Sequence, residues 1–428
     1  MTSRRRLLAG LGTLGVAGLA GCSALPFGGS DDEREYVDLP PDAAGSVEWP
    51  DSPFPVPVPS ESAESHRERT EALLAEVPTD PSVPNGAVAE ELRSKREHAA
   101  ERVGEAVDEP WPTDALETWR DRRGEAATVL GAYRAATGED DAAEVDAARR
   151  RTRDALGSLA ADHEYRASSR LEAVLAHSTV ETLLADCRRR TRPDPAYPDD
   201  PIARPFRAGD ALGRIERARA TYADAGRLRA AYLTERDDPP SQWSALIEAS
   251  DRLELSVSRS RSTVRGFLDA DESPFRADLD GTPARSLFRR ASGYVRAATD
   301  DHEERRDDGD EASAVIEAGR ALAGVEALRA TIEGIRDGGY QQAVSVESVR
   351  ETADRARDAI AAIEESDDVR LAARLARPAF GTFEYLPEFI ERGYTDAARA
   401  QGDLAWAELY ARAVPPATAF VIDRLEGE

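Results

Sequence analysis

Apolar side chains recur along most of this chain in steps of three and four. Val346, Val349, Ala353, Ala356, Ile360 and Ile363 keep the alternation, as do Trp243, Leu246, Leu253, Val257, Val264 and Phe267. Leu116, Trp119, Leu130 and Tyr133 fit it, and so do Leu212, Ile215, Tyr222, Ala225 and Tyr232. Such a stripe buries one face of each helix against near-antiparallel neighbours. No alternating strand run competes with it, because the Val-Pro alternation near residues 55–58 is too rich in proline for a central strand.

Breaks divide the pattern. They fall at Pro78–Pro84, Pro110–Pro112, Arg192–Pro205, Asp237–Pro240, Asp271–Pro283, Asp307–Asp310 and Gly338-Gly339. Helices are therefore predicted over 60–77, 86–107, 113–137, 140–161, 163–191, 206–235, 241–269, 283–306, 310–336, 345–364, 367–376, 393–413 and 415–426. The expected fold is all-α, with antiparallel helical hairpins forming a bundle or an irregular α-solenoid. The five prolines between Arg192 and Pro205 make the largest interior break, so two lobes are expected, 60–191 and 206–428.

Charge changes the picture outside the core. The 428 residues carry 56 Lys+Arg against 82 Asp+Glu, a net charge of −26. Phosphate backbones would be repelled, so no nucleic-acid partner is expected. Lys95 is the sole lysine, which leaves 55 of the 56 basic residues as arginine. An Asp, Glu and Arg surface nearly free of lysine resembles the proteins of salt-loving archaea, where salt screens the self-repulsion of an acidic fold.

The first 22 residues read as an address. Arg4, Arg5 and Arg6 precede an apolar run, Leu7–Ala20, too short to span a bilayer as a helix. The paired arginines Arg4 and Arg5 resemble a twin-arginine export signal, and Leu19-Ala20-Gly21-Cys22 resembles a lipobox. The resemblance, confined to this signal and to composition, is to twin-arginine-exported lipoproteins of salt-loving archaea. It implies cleavage after residue 21, a lipid on Cys22 and residence on the outer face of the cytoplasmic membrane. Removal of residues 1–21 takes the net charge from −26 to −29. Residues 22–59, rich in proline, are expected to be a lipid-anchored tether, with Phe54, Val56 and Val58 able to dock along a helix groove at its end. Gly10, Gly12 and Gly15 spell a dinucleotide-binding pattern but lack the preceding strand that the motif requires.

Little else in the chain carries chemistry. None of the five histidines has a glutamate three residues before it, as a bundle di-iron site would need. His177 and Glu181 share a helix face, where a surface or capping contact outweighs a metal pair. Asp278, Asp280 and Gly281 match three positions of a calcium loop whose first and last positions, Arg276 and Leu287, break it. Neither metal nor cofactor is expected, and no catalytic residue is assigned. Cys187 reads as a buried helix residue, and the arginine runs 149–153 and 188–192 as solvated faces paired with acids. Eight aromatics fall between Phe380 and Phe420, where Gly and Pro interrupt the helical pattern. Arg377, Glu384, Tyr385, Glu388 and Tyr394 are the candidate polar contacts of a ligand or partner surface there. The functional expectation is an anchored interaction scaffold or envelope component with an envelope protein as partner. The alternatives are a solute- or metal-capturing lipoprotein and an enzyme without a recognisable motif.

Overall fold

A computed structural model describes residues 37–139, 141–270 and 274–427. The described residues contain twelve α-helices and no named strand. They are α1 (Ser60–Ala75), α2 (Gly86–Gly104), α3 (Pro112–Thr137), α4 (Ala142–Ala161), α5 (Arg170–Arg190) and α6 (Pro205–Thr234). Then come α7 (Trp243–Leu268), α8 (Pro283–Asp307), α9 (Glu311–Arg336), α10 (Val346–Ala361), α11 (Val369–Glu391) and α12 (Ala397–Glu426). The all-α expectation holds, and local chemistry explains most boundaries. Pro112, Pro205 and Pro283 open their helices at the position where a missing N–H costs nothing. Asn85, Ser169, Asp368 and Asp396 cap theirs with side-chain oxygens, and Ser345 and Ser348 form a reciprocal capping box.

The helices form two groups joined through α5. In the first, α3 and α6 lie along one another, with α1 and α2 against α3 and with α4 and α5 against α6. In the second, α9 packs on α7, α8 and α12, while α10 and α11 pack on α12. Helix α5 touches both α6 and α9. The proline-rich stretch 192–205 thus separates α5 from α6 along the chain but not in space. The division between the groups falls between α6 and α7, and not at 192–205 as expected from proline density. One apolar core runs through both groups, from Leu116, Val174 and Leu228 to Leu328, Leu375 and Trp406.

Four stretches differ from the sequence expectation. Residues 163–169 are extended and not helical: Ala167 N donates to the Pro240 carbonyl at 3.1 Å and Gln242 N to Tyr165 at 2.7 Å. The break expected at residue 377 is absent, and α11 continues through Pro378 and Pro387. Pro378 supplies no N–H to the Arg374 carbonyl four residues back, and Arg320 Nη2 donates to that oxygen instead, at 2.9 Å. Helix α12 likewise runs through Pro415 and Pro416. Finally, residues 37–59 of the expected tether are docked. Leu39, Ala43, Ala44, Phe54 and Val56 are buried in the main core, and the short 3-10 turn Pro41–Ala44 sits against α10 and α11.

Helices α3 and α6 approach closely at glycines. A Cβ on Gly209 would lie 2.2 Å from the Thr128 carbonyl oxygen, and one on Gly213 would lie 2.1 Å from Thr128 Oγ1 and 2.6 Å from the Gly124 carbonyl oxygen. Glycine inside a helix costs about 1 kcal/mol relative to alanine, and here it lets two backbones meet. A Gly209→Val chain is expected to lose at least about 2–3 kcal/mol of unfolding free energy in urea titration, because the obstacle is backbone and cannot move aside. Gly226→Ala on the same helix, where nothing lies within 4 Å, is expected to gain about 0.5–1 kcal/mol.

Candidate functional site

The five polar residues singled out along α11 and just past it do not converge. Arg377 is half-buried and pairs with Glu384 at 3.0 Å and Asp114 of α3 at 3.2 Å. Its guanidinium lies over the rings of Trp49 (4.6 Å) and Trp111 (5.6 Å). Trp49 in turn stacks on Phe380 at 4.4 Å and meets Trp111 edge-on at 5.1 Å. Burial pushes the Asp114 carboxyl up to about 6 against the pull of Arg377. Tyr385 turns the other way and donates its hydroxyl to Asp403 at 2.9 Å, under the guanidinium of Arg290. Glu388 pairs with Arg392 in solvent at 2.9 Å, and Tyr394 is half exposed beside Phe389. Arg377 and Glu384 therefore belong to one junction, Tyr385 to another, and Glu388 and Tyr394 to the surface. Half of the eight aromatics are core: Phe380, Phe383, Trp406 and Tyr410 are buried. Two open depressions lie elsewhere, about 360 Å³ between α10 and α12 beside Arg355, Asp358 and Arg412, and about 450 Å³ beside Asp42, Gly45 and Arg357.

The densest charge chemistry is inside the first helix group, where residues far apart in sequence meet. His66 of α1 and Asp224 of α6 are both fully buried, with Nε2 at 2.9 and 3.0 Å from the two carboxylate oxygens. Arg120 of α3 donates to Asp224 at 2.8 Å, and Arg123 approaches His66 Nδ1 at 3.4 Å. Arg123 and Arg69 also share Glu216, at 2.7 and 3.0 Å. Burial alone would raise the Asp224 carboxyl, but the His66 hydrogen bond and Arg120 outweigh it and hold it below the usual carboxylate range. Ser62 lies one turn before His66, also buried, and its hydroxyl has no hydrogen-bond partner. A nucleophilic triad needs a histidine nitrogen free to take the serine proton and a route for substrate. Here both ring nitrogens face charged partners and all three side chains are out of solvent, so the cluster joins α1, α3 and α6. No spacing motif marks it, since its partners are 57 to 158 residues apart. The only local signal is the pairing of Ser62 and His66 four residues apart.

A second buried centre links the two helix groups. Glu181 of α5 accepts from Ala312 N (3.1 Å) and Ser313 N (2.6 Å), closing the N-terminus of α9, and from the Tyr165 hydroxyl at 2.6 Å. Burial, with Asp310 nearby, pushes its carboxyl up to about 7. His177 faces elsewhere: Nε2 lies 3.1 Å from the Arg166 carbonyl, and its ring stands edge-on to His163, Tyr165 and Tyr232. Burial drives His163 down to about 3 and His177 to about 4. Among the described residues, no group of three or more His, Cys, Asp or Glu is placed to hold a metal ion. Cys187 is fully buried, donates to the Ala218 carbonyl at 3.4 Å and is pushed up to about 12, so its thiolate is out of reach. Asp278 accepts from Asp280 N at 3.0 Å in the turn before α8, and Asp280 pairs with Arg285. In the two arginine runs, Arg149 pairs with Asp146, Arg189 and Arg190 with Asp186, and Arg188 with Asp310. Cys22, Arg4 and Arg5 lie outside the described residues.

Two family models match, one to each helix group. Residues 61–238 match a family described as Domain of unknown function (DUF8262). Residues 243–423 match one described as Domain of unknown function (DUF8264). Their meeting point, 239–242, is the stretch paired with residues 165–167. No curated protein and no solved structure matches the chain.

Asp224→Ala is expected to cost about 3–5 kcal/mol in chemical denaturation, because it leaves Arg120 buried without its counter-charge and His66 Nε2 without its hydrogen-bond partner. Acid should act through His163 and His177. Their folded-state values are depressed, so the stability they contribute is present above about pH 6.5 and is lost as pH falls towards 4. The unfolding free energy of His177→Gln is expected to fall about 2 kcal/mol less than that of wild type between pH 7 and pH 4.5.

Proposed function

We propose that the protein is a lipid-anchored, extracytoplasmic helical scaffold that works by binding and not by catalysis. The observation that carries the reading is where its reactive groups sit. His66, His177, Glu181 and Cys187 are buried and committed to joining helices. The address motif at Arg4-Arg5 and Leu19–Cys22 supports export and anchoring. No described helix is long and apolar enough to cross a membrane, so the lipid on Cys22 is the anchor in this account. An envelope protein is the proposed partner, met by the acidic, arginine-studded exterior.

Fractionation and N-terminal mass spectrometry test the anchoring. Wild-type protein is expected in the membrane fraction with a lipid-modified Cys22 at its N-terminus, Cys22→Ser in the medium, and Arg4→Lys/Arg5→Lys inside the cell. A mature chain that retains residues 1–21 with an unmodified Cys22 would contradict the reading.

A further inference from the structure

Residues 37–59 lie across the body in the manner of a bound peptide. Seven of these 23 residues are proline, namely 40, 41, 50, 53, 55, 57 and 59. Proline removes backbone donors and narrows the unbound ensemble, which is what makes extended proline-rich segments good groove ligands. The attachment has the same character. Among the described residues no sheet pairing holds the segment; apolar side chains hold it, with hydrogen bonds from the side chains of Trp111 and Arg357. Trp49 enters a slot walled by Trp111, Phe380 and Arg377, and Phe54 and Val56 are buried beyond it. Trp111 Nε1 donates to the Pro50 carbonyl at 2.9 Å, and Arg357 Nη1 donates to the Ala44 carbonyl at 3.0 Å. Gly45, at φ +66°, lies so close to Arg357 that a Cβ would sit 2.4 Å from the guanidinium. The slot is held ready from behind, since Asp114 and Glu384 both fix Arg377.

The groove belongs to the matched regions and its occupant does not. Trp111 and Asp114 lie within 61–238, and Arg357, Arg377 and Phe380 within 243–423, whereas the segment precedes both. We propose that this aromatic–arginine groove is a binding site for an extended, proline-rich, tryptophan-bearing peptide, filled in the resting chain by the protein's own residues 37–59. The aromatic walls take the tryptophan, the guanidinium covers the indole face, the Trp111 N–H reads the Pro50 carbonyl, and the prolines keep the segment extended. The site spans both helix groups, so occupancy ties them together. The proposal stands independently of the lipid anchor.

A labelled synthetic peptide of residues 37–59 tests it. In full-length protein with a specific protease site inserted between Pro59 and Ser60, cleavage should let the labelled peptide exchange in, read by fluorescence anisotropy. A Trp49→Ala peptide should bind at least about 30-fold more weakly, the equivalent of losing one anchoring aromatic side chain. Full-length uncleaved Trp49→Ala protein, whose own segment competes poorly, should bind the wild-type peptide at least about 10-fold more tightly than wild-type protein does. The proposal is overturned if the cut segment never exchanges, if the cut body unfolds when the segment leaves, if Trp49→Ala protein binds no peptide, or if a proline-rich peptide lacking tryptophan binds equally well.

Discussion

The structure depends on arginine reaching the open ends of helices. The last carbonyls of an α-helix have no partner within it, and in this chain arginines from other helices supply one. Arg96 of α2 donates to Val77 just past α1 at 2.8 Å, and Arg122 of α3 to Glu105 just past α2 at 2.9 Å. Arg229 reaches Asp162 after α4, and Arg153 reaches Thr191 after α5 at 2.5 Å. Arg296 of α8 closes α7 at Leu268, and Arg170 and Arg252 close α12 at Leu425 and Arg424. Each contact places a cation at the negative end of a helix dipole and fixes where one helix stands against another. The planar, weakly hydrated fork can do this half-buried, whereas a compact ammonium keeps its water. The lone lysine, Lys95, is correspondingly exposed and pairs with Glu91 in solvent at 3.2 Å.

The same residue type works at depth. Arg120 and Arg123 neutralise the carboxylates that join α1, α3 and α6, and Arg320 repairs the helix that Pro378 interrupts. Arg377 is sandwiched between two carboxylates and two indoles where residues 37–59 cross the body. The preference for arginine, which in the sequence suggests only a saline habitat, thus has a structural use at nearly every junction. It also bears on the proposed function: His66, Glu181 and Cys187 are buried and committed to contacts between helices.

Much of this was legible in the sequence, and the failures have common causes. Steps of three and four located helices such as α7 and α10 because these bury a single stripe, whereas α5, α9 and α12 are buried over much more of their girth, and proline or a capping oxygen marks most starts. Prolines misled where tertiary contacts replace what they remove, as at Pro378. At 53–59 they block a helix as expected, and the apolar side chains between them, Phe54 and Val56, are buried against the body. The candidate surface at Arg377 marked a real junction, but its partners Trp49, Trp111 and Asp114 come from elsewhere in the chain. The His66–Asp224–Arg120 centre was invisible for the same reason, because buried charge pairs between distant helices leave no spacing to read. His177 and Glu181 were correctly paired on one helix face, yet they serve two different contacts.

The central claim is that guanidinium geometry, and not positive charge alone, holds the helix ends. Replacing Arg96, Arg122 and Arg252 together by lysine keeps the net charge and removes the fork. Equilibrium unfolding in urea, at low and at molar salt, measures the consequence. The account predicts a loss of about 1 kcal/mol or more per site, persisting in high salt because two of the contacts are only partly exposed and that of Arg122 is buried. A triple-lysine chain as stable as wild type at both salt concentrations would contradict it.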